Sequence, residues 1–219
     1  MSSKSPIIAA LDSLTAEMSL LKHPFYQQWT AGTLPLARLR NYAVQYYQHV
    51  AAFPRYLSGI HTHCEDISSR QTLLENLIDE ERGPENHPEL WLRFAEALGV
   101  TRASVMGAEA LPATRALVDT FIKITHDQPL PAGLAALYAY ESQIPAVAEA
   151  KIDGLRRFYG ITDSEGLRFF AVHREADPYH AESVAQMVER HSRSSEDQRL
   201  ALEAGRTALS AVWSILDAV

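Results

Sequence analysis

The stretch Leu167-Arg-Phe-Phe-Ala-Val-His-Arg-Glu-Ala-Asp-Pro-Tyr-His180 reads as a helix with polar groups on an apolar face. At about 100° per residue, His173, Asp177 and His180 fall within a sector of roughly 60°, so three metal-capable side chains point one way over two turns. Leu167, Phe170, Val184 and Met187 lie close to the same stripe, which marks it as the inward face. An inward His-Asp-His set must be paired or bound to something, because a bare buried carboxylate is costly. This segment alone leaves two readings open: a hydrogen-bonded His–Asp pair at a helix kink, or part of a metal site.

The same 3.6-residue period runs through nearly the whole chain, and two-residue alternation is absent. Helices are expected at roughly 6–21, 24–31, 35–66, 69–82, 88–99, 112–126, 131–158, 163–191 and 196–217. Breaks fall at Gly32, Gly83-Pro84, Gly99, Pro112, Pro129/Pro131 and Gly160. Pro24, Pro35, Pro88, Pro112 and Pro131 sit where a helix begins and the missing N–H costs little. Asp163 and Ser194/Ser195 read as caps. Pro54, Pro145 and Pro178 fall inside helical patterns, and each predicts a kink. Short connections, with no repeat and no linker, favour an all-α helical bundle forming one domain over residues 1–219.

Composition sets the outer limits. The chain has 219 residues, 47% of them hydrophobic and 21% charged, enough to bury a core without disulfides. A formal net charge of −7 argues against nucleic acid or an anionic membrane as a partner. The single cysteine, Cys64, cannot form an internal disulfide, which points to a reducing compartment. There is no signal-peptide core and no apolar run of about eighteen residues, so the cytoplasm is expected.

Two further helices each offer an acidic residue on an apolar face. Glu141 follows Leu134, Leu137 and Tyr138 at helical spacing. The donor that Pro145 lacks is the one that would bond the Glu141 carbonyl, so the helix is expected to open there. Glu80 and Glu81 follow Leu73, Leu74, Leu77 and Ile78, and the helix phase leaves either free to point inward. His87 stands just before the next helix. Together these groups could hold two metal ions with positions left for oxygen, and mixed carboxylate and imidazole donors suit iron or manganese. The paired Glu-x-x-His motifs of ferritin-like bundles are absent. Other candidates carry less. His61 and His63 are about 200° apart and belong to a helix C-terminus, and His23 reads as a haem ligand or as a residue that opens a helix before Pro24.

Glu80-x6-His87, then Glu141, then His173-x3-Asp177-x2-His180 resembles the signature of haem-oxygenase-like di-metal oxidases. The chain is similar to the group holding the chlamydial proteins that associate with death domains and the self-sacrificing 4-aminobenzoate synthases. The likeness runs from about residue 20 to the last helix. It includes His23-Pro-Phe-Tyr26-Gln-Gln-Trp29, Phe53-Pro-Arg-Tyr-Leu-Ser-Gly-Ile-His61, Asn76-Leu-Ile-Asp-Glu-Glu-Arg-Gly83, Asn86-His-Pro-Glu-Leu-Trp91 and Ala136-Leu-Tyr-Ala-Tyr-Glu-Ser-Gln-Ile-Pro145. The scaffold is shared with haem oxygenases, thiaminases (TenA-like) and the last enzyme of pyrroloquinoline quinone synthesis (PqqC-like), so fold alone does not give function.

The resemblance implies that Glu80, rather than Glu81, joins His87, Glu141, His173, Asp177 and His180 in holding two metal ions, iron with iron or iron with manganese. It implies an oxidoreductase that uses molecular oxygen and an external reductant to make 4-aminobenzoate, a folate precursor, from its own Tyr26. The nitrogen would come from Lys151, and Tyr42, Tyr46 and Tyr140 would relay electrons. It also implies a homodimer and, from the chlamydial members, a death-domain partner. The residues by themselves read more plainly: Tyr26 as packing, and Lys151 as a surface lysine paired with Asp153 or Glu149, about 80° off the Glu141 face. Phe169 departs from the chlamydial pattern, which has tyrosine there. Two alternatives stand beside the oxidase: a helical interaction module, and a PqqC-like oxidase without a di-metal site.

Overall fold

Every element in the computed structural model is an α-helix or a 3-10 turn, and it describes residues 4–219, the side chains of 175–179 excepted. The helices are α1 (Pro6–Glu17), α2 (Pro24–Ala31), α3 (Leu36–His63), α4 (Ile67–Glu81), α5 (His87–Ala97), α6 (Arg102–Met106), α7 (Pro112–Asp127), α8 (Leu130–Glu141), α9 (Ile144–Phe158), α10 (Ser164–His191) and α11 (Ser195–Ala218), with a 3-10 turn at Leu20–Lys22. The expected caps are in place. Asp163 accepts from Gly166 N at 2.7 Å, and Ser194 and Asp197 form a reciprocal capping box at 3.0 Å each way.

The bundle is built around α8, which is apolar on all sides. From Pro131 to Ala139 every residue is buried, as a helix enclosed by neighbours requires. Its run of alanines lets α11, α10, α7 and α1 close on it, and Gly133 admits Ile60 of α3. A β-carbon at Gly133 would lie 2.9 Å from Ile60 Cγ1. Glu141 therefore arrives at the centre of the molecule, on the last turn of its most buried helix.

Three expectations need correction. The stretch 131–158 is two helices, because Pro145 leaves the Glu141 carbonyl without its donor and the chain breaks at Ser142-Gln143. Gln143 mends the break: its Nε2 donates to Ala139 O at 3.2 Å and its Oε1 accepts from Leu20 N at 2.8 Å. The first helix ends at Glu17 instead of near 21, and the chain turns through the 3-10 segment that Gln143 holds. The five-residue α6 is too short to show a periodic stripe. Pro54 is buried inside a helix that runs unbroken from Leu36 to His63. The kink expected at Pro178 lies outside the described residues. Among the described residues, no helix is long and apolar enough to cross a membrane.

Candidate metal centre and a buried tyrosine chain

Three helices, α4, α5 and α10, converge beside α8. Glu80 is on the last turn of α4, and after the loop 82–86 His87 opens α5. That loop is fixed by Asn86, which accepts from Glu89 N at 3.0 Å and donates to Gly83 O at 2.7 Å, and by Gly83 at φ +82°. The left-handed backbone at Gly83 suits glycine and turns the chain back sharply. α10 contributes His173, and α8 contributes Glu141.

The ligand atoms of Glu80, His87 and His173 lie within 4.8 Å of one another. His87 Nδ1 is 2.6 Å from Glu80 Oε2, yet the pair is not aligned as a hydrogen bond and Nδ1 has no partner in that sense. Two such atoms, with the His173 nitrogen beside them, are close enough to share one cation. Nδ1 of His173 is 2.6 Å from the Phe169 carbonyl, which holds its proton and leaves Nε2 as the free lone pair. Phe169, where a tyrosine was the family expectation, packs its ring 4.2 Å from His173 and 4.8 Å from Trp91 and offers no hydroxyl.

Glu141 borders the same cavity. Its Oε1 accepts from Asn76 Nδ2 at 3.3 Å, and its Oε2 is buried with no partner. Burial pushes this carboxyl up to about 8, against the pull of Asn76 and helped by the neighbouring Glu80 charge. Burial draws His87 down, but the Glu80 carboxylate outweighs it and the net shift is upward. His173 is held well below its usual range by burial and by His87. Two carboxylates and two imidazoles with an orphaned oxygen are a costly arrangement as they stand, and a divalent cation would relieve it. The donor set suits iron or manganese.

Glu80 is buried and Glu81 exposed, which separates the two that helix phase could not. His180 is buried one step away, its Nε2 3.2 Å from Asp79 Oδ2, in a groove bordered by Asn76 and Met187. Asp177 lies outside the described residues. Sequence reasoning missed Asn76, Asp79 and His49. Asn76 could have been found from its place four residues before Glu80 on the same helix face. His49 is a fully buried histidine on the cavity wall, pushed down to about 3 by burial.

From the cavity a file of phenols leads inward. Tyr140 borders the cavity beside Glu141, and its hydroxyl is 2.9 Å from that of Tyr46. The Tyr46 and Tyr42 rings are 5.0 Å apart, and the Tyr42 and Tyr26 hydroxyls 3.5 Å, the outer limit of a hydrogen bond. Burial pushes the phenols of Tyr26, Tyr42 and Tyr46 up, so all three are neutral. Lys151 is the surprise. The surface pairing expected of it is wrong, for it is 5% exposed and its Nζ donates to Tyr42 at 2.8 Å, 5.6 Å from the centre of the Tyr26 ring. Burial pulls its ammonium down to about 7. The haem-ligand reading of His23 also falls. Its Nδ1 accepts from Phe25 N at 3.0 Å and its Nε2 lies 3.1 Å from Asp217, so both ring nitrogens are engaged.

Comparison with known proteins adds four findings. Residues 40–213 match the profile of a family described as iron-containing redox enzyme. The chain is 46% identical over 218 residues to a 4-aminobenzoate synthase of Nitrosomonas europaea, covering 95% of this chain and 89% of that one. It is 42% identical over 207 residues to a 4-aminobenzoate synthase of Chlamydia muridarum, covering 94% and 87%. The fold is similar to that of a TenA homologue from Pseudomonas syringae pv. tomato, with a TM-score of 0.82, 18% identity, and 96% and 89% of the two chains covered.

Proposed function

The chain belongs to the iron-containing redox enzyme family, and from that premise we propose that it forms 4-aminobenzoate from the side chain of its own Tyr26 with the nitrogen of Lys151. Glu80, His87, Glu141, His173, Asp177 and His180 hold two metal ions, iron with iron or iron with manganese. Molecular oxygen and an external reductant are consumed. The observation that carries the reading is the meeting of Lys151 and Tyr26 on one buried phenol, Tyr42, at the inner end of a tyrosine file that starts at the carboxylate–imidazole cavity.

The change from tyrosine to product fixes what must happen. Nitrogen replaces the phenolic oxygen, which leaves as water; the Cε–Nζ bond of Lys151 and the Cα–Cβ bond of Tyr26 both break, and the β-carbon is oxidised to the carboxylate. The net change is an oxidation, and the bound metals would supply its oxygen-activating redox chemistry. The protein's own part is to hold the groups. Burial leaves Lys151 partly neutral near pH 7, with a lone pair free for a new C–N bond. Tyr42 accepts its N–H and orients the amine toward the Tyr26 ring. Tyr140, Tyr46 and Tyr42 pass electrons between Tyr26 and the cavity. Phe25 and Trp29, both fully buried, pack against the Tyr26 ring and keep water from it, and Trp91 does the same for Tyr42. Since Tyr26 and Lys151 are consumed, each chain acts once or less.

The names of the relatives weigh against the interaction-module reading and for the enzyme. A cytoplasmic homodimer of single-domain chains is the setting this function implies, and light scattering tests the dimer. The deciding experiment uses protein grown on lysine carrying heavy nitrogen in its side chain, supplied with iron, reductant and air. Product bearing heavy nitrogen is expected from the wild-type chain. Tyr26→Phe should give none with its metal intact, and Lys151→Arg should give much less. Wild-type yields from Tyr26→Phe, or product with light nitrogen, would overturn the assignment.

A further inference from the structure

Tyr26 is on α2 and Lys151 is on α9, so their approach depends on how closely these two helices pack. Gly154 is where they meet. A β-carbon there would stand 2.4 Å from Trp29 Cδ1 and 2.5 Å from Trp29 Nε1, with the Trp29 carbonyl oxygen 3.3 Å away. Only glycine permits this contact without moving the indole.

The indole is itself unusual. Trp29 is fully buried, and its Nε1 has no hydrogen-bond partner. Buried donors nearly always find an acceptor, so packing alone holds this ring in place. Its neighbours are Phe25, Tyr26, Tyr42 and Tyr159, at ring-centre distances of 5.9, 6.1, 5.9 and 6.2 Å. Tyr26 precedes Trp29 by three residues on α2, and Lys151 precedes Gly154 by three on α9. Residues three apart share a helix face. The Trp29–Gly154 contact therefore lies one turn along from the Tyr26–Lys151 pair on both helices.

We propose that Gly154 is a positioning residue: its missing side chain lets Trp29 seat α2 on α9, and this seat sets the 5.6 Å approach of Lys151 Nζ to the Tyr26 ring. The inference rests on the reading of Lys151 as nitrogen donor to Tyr26. Gly154→Ala must move the indole or α9 by about 1 Å to reach an ordinary contact of 3.4 Å from 2.4 Å. A misplacement of about 1 Å between reacting groups costs on the order of 10²-fold. The ligands Glu80, His87, Glu141 and His173 lie on α4, α5, α8 and α10, away from this contact, and keep their arrangement.

The test measures heavy-nitrogen 4-aminobenzoate, bound iron and the peptide masses holding Tyr26 and Lys151. Gly154→Ala should bind iron as the wild type does, with product down on the order of 10²-fold and Lys151 recovered unaltered. Adding Trp29→Phe, a smaller ring, restores clearance and should recover part of the yield with bound iron unchanged throughout, whereas a general packing fault would lower bound iron and product together. The double variant also carries the test if the alanine alone does not fold. Wild-type yield from a folded Gly154→Ala, or a folded double variant giving no more product than the alanine alone, overturns the proposal. The wild-type chain run alongside separates the two ideas: without heavy-nitrogen product there, the nitrogen-donor reading falls, and the inference falls with it.

Discussion

Replacing Lys151 with methionine should make the metal-free protein more stable near neutral pH, although it removes a hydrogen bond. Burial lowers the Lys151 ammonium from 10.5 to about 7. Between those values the unfolded chain binds a proton that the folded chain does not, so wild-type stability rises with pH across this window. Below about 7 both states are protonated, and the folded state carries the full cost of a buried ammonium. A shift of this size, at 1.36 kcal/mol per pKa unit, corresponds to roughly 5 kcal/mol. Loss of the 2.8 Å bond to Tyr42 offsets about 1 kcal/mol of that, and relaxation around the charge reduces it further. The variant should therefore exceed the wild type by about 2–4 kcal/mol at pH 6, and the difference should vanish toward pH 10. Urea unfolding at a series of pH values measures this directly, and taking the difference between the two proteins cancels the groups they share. A difference that stays constant from pH 6 to 10, or one that grows as the pH rises, would refute a buried lysine.

Tyr46→Phe removes the 2.9 Å contact to Tyr140 while keeping the ring, so product should fall at least about tenfold with iron content unchanged; undiminished yield would mean that electrons take another route. Glu141 is held up to about 8 from 4.5, so in the metal-free chain it destabilises increasingly as pH rises through this window and fully above it. Glu141→Gln should thus equal the metal-free wild type at acid pH, exceed it at pH 9 in thermal unfolding, and bind less iron. Iron should raise the melting temperature of the metal-free wild type and leave the doubly substituted His173→Ala, His180→Ala protein unmoved. Ser194→Ala breaks the capping box of α11 and should cost about 1 kcal/mol of stability without altering product, as chemical denaturation and the product assay would show.

The sequence by itself determined the all-helical class and most of the helices, because their faces repeat every 3.6 residues and many of their ends are written in Asp163, Ser194 and the prolines at helix starts. It also marked His173, His87 and Glu141, since a polar group on an apolar stripe stands out locally. A local opening beside Glu141 was legible too, from the one donor that Pro145 lacks, but not that the helix ends there and a new one begins. What local pattern could not decide was anything that depends on two helices meeting. Helix phase left Glu80 and Glu81 equal until α4 was set against α10. Lys151 looked like a surface lysine because a single helix does not reveal what covers it, and only the packing of α9 against α10 and α2 buries its amine, where Tyr42 of α3 meets it. The role of Gly154 is likewise invisible in one dimension, since a missing side chain matters only when another helix occupies the space. Periodicity is a property of one helix and survives in the sequence; distance between helices belongs to the packed core, and this protein's chemistry depends on distance.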